Sequence, residues 1–196
     1  MQKIENAVHL CIDMQNLFAP GGPWSTPWME KVLPAVARLV SHNPSRTIFT
    51  RFITPERPDE AHGVWHRYYQ KWSHVTRSKL HPQMLELLPG FMTFVPPAAV
   101  VDRMVYSAFG NGRLREVLAA RHVDTLIISG GETDVCVLST VLSAIDLGYR
   151  VILVVDALCS SSDEMHDAII GLYANRFDIQ VETTRLEEIL SLWKPE

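Results

Sequence analysis

The chain has 196 residues, 47% of them hydrophobic and 20% charged, with a formal net charge of −4 at pH 7. That balance suits one globular domain over residues 1–196 with a core of its own, and an acidic chain without a basic block speaks against nucleic acid as a partner. No stretch reaches the roughly 18 apolar residues of a membrane span, and the N-terminal MQKIENAVHLCIDMQ lacks a signal-peptide pattern, its short apolar run being broken by Asp13. Three cysteines, Cys11, Cys136 and Cys159, make no disulfide framework, so a reducing, cytoplasmic setting is expected.

Residues 7–12 read as a buried strand ending on Asp13, followed by Met14 to Phe18 and a loop rich in Pro, Gly and Trp. The spacing of Val32, Leu33, Val36, Leu39 and Val40 predicts a helix over residues 29–40, with Pro34 early enough to be tolerated. Residues 46–50 form a second predicted strand. Residues 51–93 carry His62, His66, His74 and His81 and a dense set of aromatics without a clear period. A structureless loop of that length is unusual in a compact domain, so short helices are expected over residues 61–71 and 82–87.

Residues 99–103 are a third predicted strand, followed by Tyr106, Ser107, Ala108, Phe109 and a Gly-Asn-Gly turn, then a helix over 112–121. The clearest unit comes next. A β-branched run over 125–128 leads through Gly130, Gly131 and Glu132 to Cys136, where an apolar helix opens; that helix stops at Gly148, and a strand over 151–155 ends on Asp156. Strand, Gly turn, helix, Gly stop and strand make a βαβ unit. A helix over 163–175 follows, with Ser160, Ser161, Ser162 and Asp163 as cap candidates. The chain closes with a strand over 177–181 and a helix over 184–193 whose Thr184 and Glu187 have capping-box spacing. Alternating strands and helices predict an α/β domain, a three-layer α-β-α sandwich around a Rossmann-like parallel sheet. In such sheets the ligand site lies at the carboxyl ends of the strands.

Three chemical groups fall at those ends: Asp13 after the first strand, Arg103 on the third, and Cys136 after the fourth. A helix start favours a thiolate, a carboxylate accepts a thiol proton, and a fixed cation steadies both. Backbone N–H groups at the helix start can hold an oxyanion. Together these are the parts for hydrolysis through a thioester.

The segments CIDMQNLF, VDRMVYSAF, SGGETDVCVLSTVLSAIDLGYRVILVVDA and CSSSDEMHDAI, in this order, resemble the isochorismatase-like cysteine hydrolases, a superfamily that includes nicotinamidases, N-carbamoylsarcosine amidases and isochorismatases. The resemblance implies a six-stranded parallel sheet, the isochorismatase-like hydrolase fold, and a homo-oligomer, dimer or tetramer. It gives Asp13 the role of general base and Cys136 that of nucleophile. It also implies a cis Gly131–Glu132 peptide, with the N–H groups of Glu132 and Cys136 as oxyanion hole. The sequence departs from the family pattern at Arg103, which stands where the family has lysine; arginine keeps the charge but does not give up its proton. The Asp-x-His start of the nicotinamidase metal set is missing from FTRFITPERPDEAHGVWHRYYQKW, so neither metal nor cofactor is expected. Retention of Cys136 favours a small amide, carbamoyl or ureido substrate over the vinyl ether of true isochorismatases. An isochorismatase-type ether hydrolase and a non-catalytic binding protein on the same scaffold stand as alternatives.

Each residue also has a plainer reading. Asp13 can be a turn cap and Arg103 a surface ion pair, while Cys11 and Cys159 read as buried structural thiols. Asp156 reads as a cap, the histidines as surface or packing groups, and Gly130–Gly131 lacks dinucleotide-fingerprint spacing. Phe18, Trp24, Trp65, Tyr69, Trp72, Tyr106 and Phe109 are candidates to wall a pocket for a small planar or apolar substrate, with core or interface packing the equal alternative. Trp24, Trp28 and Trp72 are also candidate interface residues. The Glu132 side chain can face the substrate and accept hydrogen bonds from an NH-rich or cationic group, or form a salt bridge to a nearby arginine.

Overall fold

Six apolar segments form strands in one parallel sheet: β1 (Ala7–Ile12), β2 (Thr47–Phe52), β3 (Ala99–Arg103), β4 (Thr125–Gly131), β5 (Arg150–Cys159) and β6 (Val181–Thr184), in the order β3-β2-β1-β4-β5-β6. The computed structural model describes residues 3–195. β1 and β4, at the centre, are buried on both faces, which is why they read as continuous apolar runs rather than alternating ones.

Alternate residues of the strands feed two cores. Cys11, Phe49, Ile127 and Ile152 face one core, shared with helices α1 (Met29–His42) and α7 (Leu186–Leu192) and with the 51–98 segment. Val8, Leu10, Ile48, Leu126 and Leu153 face the other. There they meet α4 (Arg113–Ala120), α5 (Leu138–Asp146) and α6 (Asp163–Arg176). The 51–98 segment adds α2 (Val64–Lys71) and the short α3 (Pro89–Met92). No helix among the described residues is long and apolar enough to cross a membrane.

Several expected boundaries move, each for a physical reason. β5 does not stop at Asp156: the β4–β5 register shifts after Ile128, and pairing resumes at Gly130 with Leu158 and Gly131 with Cys159. The expected strand over 177–181 is a turn closed on the Phe177 carbonyl by the N–H groups of Gln180 and Val181, so β6 starts at Val181. The capping box does not form. Thr184 belongs to β6 and its hydroxyl donates to Glu188 Oε2 at 2.7 Å, while Asp156 Oδ1 accepts from the Leu186 N–H at 2.9 Å. Asp156 is thus a cap, for α7. Ser162 caps α6, accepting from the Met165 N–H at 3.3 Å. The helix expected over 82–87 is one 3₁₀ turn, Pro82–Leu85, and α2 begins only after Gly63.

Gly130 explains the Gly-Gly pair. Its φ is +100°, and a Cβ there would lie 2.1 Å from the Ile12 carbonyl oxygen. At Gly131 a Cβ would lie 2.8 Å from Cys159 Sγ. The glycines let β4 pass close to its neighbours at the carboxyl edge of the sheet.

Candidate active site

Asp13 follows β1 with φ +50°, a left-handed conformation that Asp tolerates better than most residues. The turn swings its carboxylate over the edge of β2. Thr50 on β2 donates its hydroxyl to Asp13 Oδ1 at 2.7 Å and accepts the Asp13 N–H at 3.2 Å. Arg103, at the end of β3, donates through Nη2 to Asp13 Oδ2. β3 and β1 are not neighbours, so the arginine crosses β2 to reach its partner, its guanidinium 4.9 Å from the centroid of the Phe52 ring. Both charges are about 1% exposed. Burial alone opposes the Arg103 charge, and the Asp13 carboxylate overcomes that cost, leaving the pKa of Arg103 above the usual arginine value. Arg103 is therefore a buried partner of Asp13, and Asp13 caps no helix.

Cys136 sits in a π-helical turn, Thr133–Val137, that precedes α5. Sequence periodicity predicts an ordinary helix start here; one inserted residue in the turn re-aims the side chains. The turn is pinned at its first two residues. Thr133 donates to the Cys159 carbonyl at 3.1 Å and shares a 2.9 Å hydrogen bond with His166 Nδ1, while Asp134 Oδ1 accepts from the Ser160 hydroxyl at 2.6 Å. Gly131–Glu132, just before it, is a cis peptide. The thiol is 5% exposed and interacts with Asp13 and Arg103. Burial first, then the Asp13 carboxylate, push the Cys136 thiol well up, against the pull of Arg103. The carboxylate beside it is placed to take its proton.

Cys136 opens into a cavity of about 390 Å³, in the size range of small-molecule sites. Six aromatic rings wall it, from Phe18, Trp24, Phe52, Tyr68, Trp72 and Tyr106, together with Pro23, Ser25, Val135, Ser161 and Glu132. Of the expected wall residues, Trp65, Tyr69 and Phe109 stand elsewhere. Trp65 packs edge-on to Tyr106 at 4.8 Å and Tyr69 lies 6.2 Å from Trp65, one ring behind the wall. Phe109 stacks on Tyr149 at 5.8 Å in the other core. Trp24 and Trp72, candidates for the wall as well as for an interface, line the cavity.

The sequence reading missed Phe52, Tyr68 and Ser161. For Tyr68 a signal was present: Tyr68 and Trp72 are four residues apart, as are Trp65 and Tyr69, so α2 and its C-cap present two adjacent aromatic stripes and only one meets the cavity. It missed Gln15 as well. That side chain accepts the Phe52 N–H at 2.7 Å and donates to the Leu85 carbonyl at 2.7 Å, tying the end of β2 to the covering loop.

Glu132 is the charged side chain on the wall. It is partly buried, and its Oε1 accepts from the Thr26 hydroxyl at 3.0 Å. Burial, and the negative charges of Asp134 and Asp13, raise its pKa, while hydrogen bonds from Thr26 and Ser161 pull the other way. No arginine or lysine among the described residues pairs with it, so the salt bridge considered from sequence does not form. His66 instead shares a 3.0 Å hydrogen bond with the Pro58 carbonyl, His74 packs on Trp72 at 5.6 Å, and His81 Nδ1 accepts from the Gln83 N–H at 3.3 Å. Cys11 and Cys159 are buried in the first core.

The family model described as Isochorismatase domain matches residues 7–185. Nicotinamidase 3 of Arabidopsis thaliana is 26% identical over 187 residues, which cover 94% of this chain and 88% of the plant protein. A "Probable inactive nicotinamidase" of the same plant is 27% identical over 194 residues, covering 95% and 96%. Among solved structures, a cysteine hydrolase from Pseudomonas syringae pv. phaseolicola has the same fold, with a TM-score of 0.81 at 23% identity and coverage of 97% and 94%. With the family match spanning all six strands of the sheet, the chain belongs to the isochorismatase family.

Proposed function

We propose that this protein is a cysteine hydrolase of small-molecule C–N bonds, amide, carbamoyl or ureido. The observation that carries the reading is the convergence of Cys136, which opens into the cavity, with the buried Asp13–Arg103 pair beside it. The amidase relative supports the same class. Asp13 takes the thiol proton as Sγ attacks the carbonyl carbon, and the backbone N–H groups of Glu132 and Cys136 receive the tetrahedral oxyanion. Asp13 then passes its proton to the leaving nitrogen, and the C–N bond breaks to give a thioester. Water, deprotonated by Asp13, attacks that thioester; the acid leaves and the proton returns to Sγ. Arg103 keeps Asp13 charged and oriented and donates no proton in any step. The reaction is expected to take place in the cytoplasm, in a homo-oligomer.

A non-catalytic reading has one observation in its favour, the arginine at the family's lysine position. Intact-protein mass spectrometry separates the two. After incubation with a panel of small amides, carbamoyl compounds and ureas, the wild type is expected to carry an acyl or carbamoyl mass that Cys136→Ala lacks. Turnover undiminished in Cys136→Ala overturns the cysteine mechanism in favour of an ether-hydrolase type, and absence of adduct and turnover across the panel favours the binding protein.

A further inference from the structure

The wall of the cavity holds aromatic faces and one carboxylate, and no cation. Arg103 is buried against Asp13, and both lie outside the lining. An anionic substrate group would meet Glu132 with no cationic side chain on the lining to offset it, and the nearby carboxylates Asp13 and Asp134 add to the negative field felt at Glu132. A cation meets the opposite conditions. Ring faces attract it through their quadrupoles, most strongly Trp and Tyr, and the carboxylate supplies the counter-charge. Trp24, Trp72 and Tyr68 are mutually arranged for this, with Trp24 lying 6.0 Å from Tyr68 and, edge-on, 6.2 Å from Trp72. The outside of this cluster already attracts a cation: Lys71, not part of the lining, holds Nζ 5.5 Å from the centroid of the Trp72 ring. Thr26 fixes Glu132 Oε1, which leaves the carboxylate oriented and, among the described residues, without a salt-bridge partner.

We propose that the substrate carries a cationic group, a quaternary or protonated amine, which the aromatic box of Trp24, Tyr68, Trp72 and Tyr106 and the Glu132 carboxylate bind while its carbonyl reaches Cys136. The substrate form of this inference rests on the amide-hydrolase reading; the cation site does not.

The test uses a matched pair, trimethylammonioacetamide and its uncharged isostere 3,3-dimethylbutanamide, with succinamate as the anionic counterpart. For the wild type, kcat/KM is expected to favour the cation over the isostere by about tenfold or more, and to be lowest for succinamate. Glu132→Gln, which keeps the shape and the Thr26 hydrogen bond, is expected to reduce the cation-to-isostere ratio at least about fivefold. Equal turnover of cation and isostere by the wild type, or a preference for succinamate, overturns the inference and leaves the amide-hydrolase reading standing. If none of the three is turned over, calorimetric titration of Cys136→Ala with tetramethylammonium chloride at fixed ionic strength decides it. Saturable binding that weakens when Glu132→Gln is added supports the cation site whatever reaction the site carries out; no saturable binding overturns it.

Discussion

Asp13 and Glu132 are carboxylates beside the same cavity, held in opposite ways. Asp13, behind Cys136, is about 1% exposed and has a partner on each oxygen, Thr50 on one and Arg103 on the other. Glu132, on the wall, has hydroxyl partners and no counter-charge among the described residues, and its pKa is raised by burial. A charge that serves the reaction has to be the same before and after each turnover, so its partner is built into the protein. A charge that serves recognition works best when its partner arrives with the ligand.

The largest effect expected from this contrast is on stability. Arg103→Met strips the Asp13 carboxylate of its partner and is expected to cost about 3–5 kcal/mol in urea unfolding, with Asp13→Asn recovering part of the loss in the double variant. An Arg103→Met protein as stable as wild type would show that the Asp13–Arg103 pair is not what it looks like. Next comes the backbone at the end of β4. Gly130→Ala forces a methyl against the Ile12 carbonyl at a positive φ, at roughly 2–4 kcal/mol by the same measurement. On the wall, effects move from stability to binding. Trp72→Leu is expected to lower kcat/KM about tenfold, mainly through KM, while Phe109→Leu, against Tyr149 in the other core, leaves KM unchanged. Equal KM changes in both variants would erase the distinction between wall and core.

The smallest effect tests the sign of the wall charge. Glu132 has a folded pKa above its unfolded one, so it is accommodated best below the unfolded value of about 4.5, and its stability contribution is lost as pH rises through the folded value. Glu132→Gln is therefore expected to change stability by less than about 1 kcal/mol, and to compare more favourably with wild type at pH 7 than at pH 4. The reverse trend would mean that Glu132 has a cationic partner in the free protein.

The group of Asp13, Arg103 and Cys136 was the more legible of the two regions. Its residues lie at the ends of β1, β3 and β4, whose apolar runs announce themselves, and strand ends in a parallel sheet share one edge by construction. Even so, strand order was not readable from spacing, and Arg103 reaches Asp13 across β2 rather than from a neighbouring strand. The upward push on the Cys136 thiol was not readable either, because it depends on burial and on how near Asp13 comes, and a π-helical turn has the same composition as the helix start it replaces. The wall was the less legible. Residues 51–98 are ordered by ring-on-ring packing and by Gln15 and Asn16 hydrogen bonds to the covering loop, none of which leaves a period in the sequence. Trp65 and Tyr69 read as wall candidates from sequence because aromatic identity says nothing about which stripe of α2 turns inward.

The placement of the tryptophans has a practical consequence. Of the five, Trp24 and Trp72 line the cavity and Trp65 stands one ring behind it, whereas Trp28 and Trp193 sit beside His166 and His42. Indole emission depends on local polarity and on nearby charge, so the unlabelled protein carries its own optical gauge of occupancy. A ligand entering the cavity displaces water from two indole faces at once, and the Trp28 and Trp193 signals serve as an internal baseline. Substrate screening can then be read as a change in intrinsic fluorescence, before any product has been identified.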